Sequence, residues 1–256
     1  MEAYKKRFNI KHFIIIIIIL TIILAAVISI SHFSFKKEYE PPTALENDLP
    51  RFRVVDLDNV GITSDMDKDG INDQKDILMG AKRQFEIGAK NIFLEGADEL
   101  NYYDGGDPPE NLALCTDIIA RAFKDAGFSI RDLVDNDIAN NFSEYPLKEI
   151  WNQTVTDSNI DYRRIQNLEI FFRRNSQILV IVFNPANIDN LNQWLPGDIV
   201  FFDMDGDSYS DNVGILSDVT TKDGAPKVIY NYINPGYTCE EDILGKEKII
   251  GHYRYP

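Results

Sequence analysis

Residues 13–31 carry no charged side chain and include six consecutive isoleucines at 14–19. A helix needs roughly 20 apolar residues to cross the hydrocarbon core of a bilayer, and this run has that length. Lys5, Lys6, Arg7 and Lys11 stand before it. The positive-inside rule therefore keeps residues 1–12 in the cytoplasm, spans the membrane with residues 13–33 and places the rest outside. A cleaved signal peptide is the rival reading. Its apolar core is usually about 7–15 residues long and ends at small residues. Ser29 and Ser31 offer such residues, yet there is no Ala-x-Ala pattern, and the length favours an uncleaved anchor. No cysteine follows the run, which argues against a lipoprotein. Either reading exports the remainder of the chain.

Residues 34–60 read as a polar linker, with Lys36, Lys37, Pro41, Pro42 and Pro50. Residues 61–256 have the length and composition of one globular domain. The chain has 26 Lys+Arg against 41 Asp+Glu, a net charge of −15. Such a surface repels nucleic acid and anionic lipid, and it suits solubility or bound cations. There are two cysteines, Cys115 and Cys239. An exported pair of this kind can form a disulfide, but two are too few for a disulfide-built scaffold. The histidines are His12, His32 and His252. The first two flank the apolar run, so His252 is the one imidazole available to the folded domain.

Apolar residues recur at helical spacing from 76 to 88, from 115 to 126 and from 160 to 174. Gly127 is placed to end the second helix. Short apolar runs follow at 178–183, 198–202, 213–216, 228–233 and 249–253, separated by Gly, Pro and Asp turns. Helices first and strands afterwards indicate an α+β fold, with helices packed on an antiparallel sheet.

Two acidic segments invite a metal reading. In residues 65–76, Asp65, Asp67, Asp69, Asp73 and Asp76 fall at positions 1, 3, 5, 9 and 12 of a twelve-residue calcium loop. Gly70 stands at the sharp turn of position 6, and Ile71 would offer its carbonyl at position 7. Asp76 replaces the usual Glu. The alternative is a solvated acidic turn, but five carboxylates this close repel one another unless a cation neutralises them. The second segment, with Asp203, Asp205, Asp207 and Asp211, ends at Gly214 in position 12 and reads mainly as a hairpin loop.

Cys115 opens the second helix. The N–H groups of a first turn stabilise a thiolate and make the sulfur a nucleophile. Equally, a cysteine there can be a small buried apolar residue, and Asp117 disfavours a neighbouring thiolate.

Six groups of residues then occur in one order. They are Gly105, Gly106, Asp107, Pro108 and Pro109; Cys115, Thr116 and Asp117 with Arg121, Ala122 and Phe123; and Asn159, Ile160, Asp161, Tyr162, Arg163 and Arg164 with Asn167 and Leu168. Next come Pro196, Gly197, Asp198, Ile199 and Val200; Val213, Gly214 and Ile215; and Gly251, His252, Tyr253 and Arg254. Together they resemble the bacterial domain-of-unknown-function 1287 family, over roughly residues 70 to 256. That family is similar to the NlpC/P60-like, papain-like cysteine amidases and peptidases.

The resemblance implies a papain-like site. Cys115 would be the nucleophile, a His opening the strand at 213–215 the base, and a polar residue near Asn231 its orienter. The expected His is Asn212, which cannot take a proton near neutral pH. Tyr230 and Tyr162 stand where relatives carry two further histidines. His252 is then the remaining candidate base, with a packing role as its alternative. Arg163 and Arg164 could clamp the carboxylate of a peptide or cell-wall stem, or serve as salt bridges. The expectation is a membrane-anchored, cell-surface cysteine amidase-like protein acting on peptidoglycan or peptide amides, with calcium as a structural ion. The alternative is a catalytically inactive wall- or peptide-binding module.

Overall fold

The computed structural model of the chain describes residues 55–60, 62–95 and 102–256. The apolar run at 13–33 lies outside the described residues, as does most of the linker. Among the described residues no helix is long and apolar enough to cross a membrane.

The first long helix, α1 (Asp73–Ile87), starts four residues before Ile77, the first of its apolar stripe. Asn72 caps it by accepting the Lys75 N–H at 3.0 Å, and Asp73 and Asp76 occupy the first turn, where the helix dipole favours carboxylates. Gly88 ends it in the left-handed conformation at φ 60°. The short strands β1 (Lys90–Asn91) and β2 (Leu112–Ala113) pair in parallel. Helices α2 (Cys115–Asp125), α3 (Ile130–Asn140), α4 (Leu147–Trp151) and α5 (Ile165–Asn175) follow. The chain then forms β3 (Gln177–Ile178), the single turn α6 (Ile188–Leu191), β4 (Ile199–Asp203), β5 (Asn212–Thr220), β6 (Pro226–Asn231), β7 (Thr238–Glu241) and β8 (Lys248–Arg254). The six strands β3 to β8 make one antiparallel sheet in the order β3-β8-β4-β5-β6-β7. The fold is mixed α+β, as the element pattern implies.

Strand periodicity divides the sheet into two buried faces. Ile199, Phe201, Val213, Ile215 and Tyr253 point to the helices and pack with Ile118, Phe123 and Phe172. Val200, Phe202, Leu216 and Val228 point the other way, onto Trp194. A sheet buried on both faces has near-continuous apolar strands, which explains the unbroken runs in the sequence. Helices α1 and α2 cross so closely that a Cβ on Gly80 would meet the Ala122 carbonyl oxygen at 2.5 Å.

Three elements differ from the sequence pattern. Residues 161–163 form a 3-10 turn, and α5 begins only at Ile165. The Asp161 carboxylate takes the Asp157 N–H at 2.6 Å, a local bond that competes with helix propagation. Helix α3 has only the narrow stripe Ile130, Val134 and Ile138, capped by Ser129 on the Asp132 N–H, so its period is faint. Of the apolar run at 178–183, only Ile178 joins a strand. It is an edge whose pairing with β8 stops after two residues, and Val182 beyond it is 74% exposed.

Candidate functional site

The start of α2 is tied down from several directions. Leu114 is extended (φ −103°, ψ 172°), and its N–H donates to the Asp117 carboxylate at 2.8 Å. Arg163 grips the same carboxylate through Nε at 2.6 Å and Nη2 at 2.9 Å. Thr116 Oγ1 donates to the Arg163 carbonyl at 3.2 Å. Cys115 is thereby held at the edge of a cavity of about 360 Å³, lined also by Asn91, Thr116, Arg163, Asp211, Asn231 and Tyr232.

The polar floor of this cavity is an amide pair. Asn91 Nδ2 donates to Asn231 Oδ1 at 2.9 Å. Asn231 Nδ2 donates to the Ala89 carbonyl at 2.9 Å and to Thr238 Oγ1 at 3.1 Å. Asn231 therefore shares the Cys115 cavity, with both ends of its amide committed to fixed partners. Asn212 is fully buried at the start of β5. Its Oδ1 accepts the Val213 N–H at 2.9 Å, and its Nδ2 faces the Met204 sulfur at 3.6 Å. Burial pushes the Cys115 thiol up to about 12 and the Asp117 charge adds to this, while the backbone N–H groups of Val213 and Thr116 pull the other way.

The structure does not bring His252 to Cys115. Cross-strand pairing sets His252 opposite Val200, on the sheet face away from the helices. The ring stacks on Trp194 with centroids 4.0 Å apart. Its Nδ1 lies 2.8 Å from the Val180 carbonyl and its Nε2 lies 3.0 Å from Asp198 Oδ2. The Val180 carbonyl can only accept, so Nδ1 donates to it, and Nε2 faces the Asp198 carboxylate. Asp198 also accepts Arg254 Nε at 2.7 Å and Nη2 at 2.8 Å, Gln74 Nε2 at 2.9 Å and the Leu195 N–H at 2.9 Å. The hydrogen bonds and charges of His252 and Arg254 outweigh burial and hold the Asp198 carboxyl below the usual carboxylate range. Of the two readings of His252, base or packing residue, this geometry fits the packing one, and the base reading is corrected. The place of the ring is a buried ion cluster behind the sheet.

The arginine pair also separates. Arg163 lines the cavity but spends its guanidinium on Asp117. Arg164 turns away, pairs with Asp161 at 3.0 Å and lies over the Trp151 ring at 4.2 Å. Cys115 and Cys239 are both buried and are not joined in a disulfide.

At the other end of α1, Asp65, Asp67 and Asp69 bring carboxylate oxygens within 4.8 Å of one another. Asp73 and Asp76 are buried in the first helical turn. Burial, then the charges of Asp69, Asp67, Asp73 and Asp65, push the Asp76 carboxyl up to about 6. The Ile71 N–H donates to Asp69 Oδ1 at 2.8 Å. Asp203, Asp205, Asp207 and Asp211 form a second cluster with oxygens within 4.8 Å.

Asn91 and Asp211 also line the cavity, and no motif in the sequence places them there. Asn91 follows a helix exit with no periodic signal. Asp211 stands beside Asn212, the position already singled out, and that adjacency was the available clue.

Comparison with known proteins bears on this whole region. Uncharacterized protein YijF of Escherichia coli (strain K12) is 37% identical over 179 residues, which cover 70% of this chain and 80% of that protein. The family model described as Domain of unknown function (DUF1287) matches residues 82–255, from within α1 through β8. With the helices around Cys115 and the entire six-stranded sheet inside that match, the chain belongs to the DUF1287 family.

Proposed function

We propose that the domain is a degenerate relative of the papain-like, NlpC/P60-like cysteine amidases. It keeps the peptide cleft and binds a peptide or peptidoglycan stem at the cell surface, tethered by residues 13–33. The observation that supports this reading is the company of Cys115. Asn231 shares its cavity, while the one histidine among the described residues is turned to the other face of the sheet. With the thiol raised to about 12 by burial, the sulfur is held protonated near neutral pH. Beside the Asn91–Asn231 pair, apolar Phe93 and Ile233 line the cavity and suit an apolar side chain of a peptide.

A second reading, a slow amidase, draws on a different observation. Cys115 opens α2, where the N–H groups of a first helical turn would favour a thiolate and then an oxyanion. One experiment separates the two. The purified full chain and its Cys115→Ala variant are titrated with soluble muropeptides and simple peptide amides, and free amine release is followed. Binding by both proteins without amine release is the expected result. Release by the wild type alone would establish the amidase, and neither binding nor release would remove both readings.

A further inference from the structure

We infer that residues 65–76 form a binding site for one Ca²⁺ ion that fixes the start of α1 against the sheet. The inference is independent of the Cys115 cleft, and the loop lies before the residues that the family model matches.

The loop divides the labour of its carboxylates. Gly70 N–H donates to Asp65 Oδ2 at 3.1 Å, Asp69 N–H to Asp67 Oδ1 at 3.2 Å, Ile71 N–H to Asp69 Oδ1 at 2.8 Å and Met66 N–H to Asp73 Oδ1 at 2.8 Å. One oxygen of each of these four side chains thus shapes the loop, and the other is left for an ion. The independent observation concerns the buried oxygens. Asp65 Oδ1, Asp73 Oδ2 and Asp76 Oδ2 are buried and have no hydrogen-bond partner. Asp73 and Asp76 are only 1% and 5% exposed. The bond from Met66 N–H aims the Asp73 carboxylate across the loop. No ion pair among the described residues reaches any of the five carboxylates. Anionic oxygens buried without a partner are unfavourable, and a bound cation supplies the missing partner.

The second acidic loop shows the contrast. Asp203 carries Lys248 Nζ at 2.6 Å and the N–H groups of Gly206 and Ser208, and Asp211 accepts from Met204 and Asp205. That loop has a lysine from the chain among its four carboxylates. Among the described residues the first has none.

The spacing selects calcium. Asp65, Asp67 and Asp69 already lie within 4.8 Å of one another, and with Asp73, Asp76 and the Ile71 carbonyl the loop would offer the six to eight oxygens that Ca²⁺ takes in a flexible loop, whereas Mg²⁺ requires a tight octahedron and retains its waters. The consequence runs along α1. Gln74, one residue into the helix, donates to the Pro196 carbonyl at 2.7 Å and to Asp198 at 2.9 Å. On the far side Asp67 lies against Gly127, where an added Cβ would meet its Cβ at 2.9 Å. An ion in the loop therefore holds α1 to the buried Asp198 cluster and to the end of α2.

The test uses the purified full chain, stripped with a chelator and titrated with CaCl₂ by calorimetry, with thermal unfolding in parallel. One ion per chain is expected, with Tm rising by about 5–10 °C at a hundredfold excess over Kd. Asp67→Asn and Asp69→Asn, both at exposed positions, should abolish the heat and the Tm rise. A combined Asp205→Asn and Asp207→Asn variant should keep both. Absence of heat and Tm shift in the wild type at millimolar Ca²⁺ would overturn the site. So would loss of binding in the Asp205/Asp207 variant with retention in Asp69→Asn. An equal Tm rise with Mg²⁺ would overturn the assignment to calcium.

Discussion

His252 pairs with Val200 across β4 and β8, and this register turns its imidazole to the face of the sheet opposite Cys115. A strand alternates its side chains with period two, so a shift of one residue would have put the ring among the helices. The pairing is held by Asp198, which lies between His252 and Arg254 and receives both. The one histidine of the described domain therefore serves the buried electrostatics of the sheet and not the thiol.

That placement makes a sharp prediction for His252→Ala. The variant loses the stack on Trp194 and leaves Asp198 short of a donor in a fully buried setting. Stability should fall by about 3–5 kcal/mol, as when a core aromatic ring is cut back to Ala. Urea unfolding measures this, and the alkylation rate of Cys115 in the folded variant should be unchanged. Retained stability with altered Cys115 reactivity would mean that the ring reaches the thiol after all.

Cys115 itself should behave as a shielded thiol. Its pKa is raised to about 12, so the protonated form dominates at every pH below that value. In a Cys239→Ser background, iodoacetamide should react at pH 7.5 about a thousandfold more slowly than with an unperturbed cysteine. The rate should then climb about tenfold per pH unit, with no plateau near pH 8 or 9. A plateau near neutral pH would reveal a base that the described residues do not supply.

Gly80 controls how α2, and with it Cys115, meets α1. Replacing a helical glycine by alanine ordinarily gains about 1 kcal/mol. Here the new Cβ would lie 2.5 Å from the Ala122 carbonyl oxygen and 2.8 Å from its Cα, both backbone atoms that cannot step aside. Gly80→Ala should therefore destabilise the domain by about 1–3 kcal/mol, read by urea unfolding. A neutral or stabilising result would show that the two helices can separate at no cost.

Much of the helical layer was legible in the residues. The stripe of α2 and the carboxylates opening α1 are local patterns, written within one or two turns. The α+β order followed from helical periods giving way to short apolar runs. Less legible were α3, whose apolar stripe is one residue wide, and β7, whose Thr238, Cys239, Glu240 and Glu241 carry no strand-like alternation and pair only with β6. At the site, Cys115 and Asn231 stood out beforehand and do share a cavity. The partners of Arg163 and His252 did not, because each is met far along the chain, Asp117 46 residues away and Asp198 54.

The sequence by itself determined what a single element can encode. It set the acidic spacing of residues 65–76, the cysteine on a first helical turn, the absence of any His at position 212 and the apolar run near the N-terminus. These depend on spacing along a few residues, where bond geometry and period suffice. Only the tertiary structure decided which groups meet. It sent His252 behind the sheet, spent Arg163 on Asp117, and left buried carboxylate oxygens unpaired at the start of α1. The physical reason is that strand register and helix crossing place side chains from distant segments on one face or the other, and chemistry between them depends on contact.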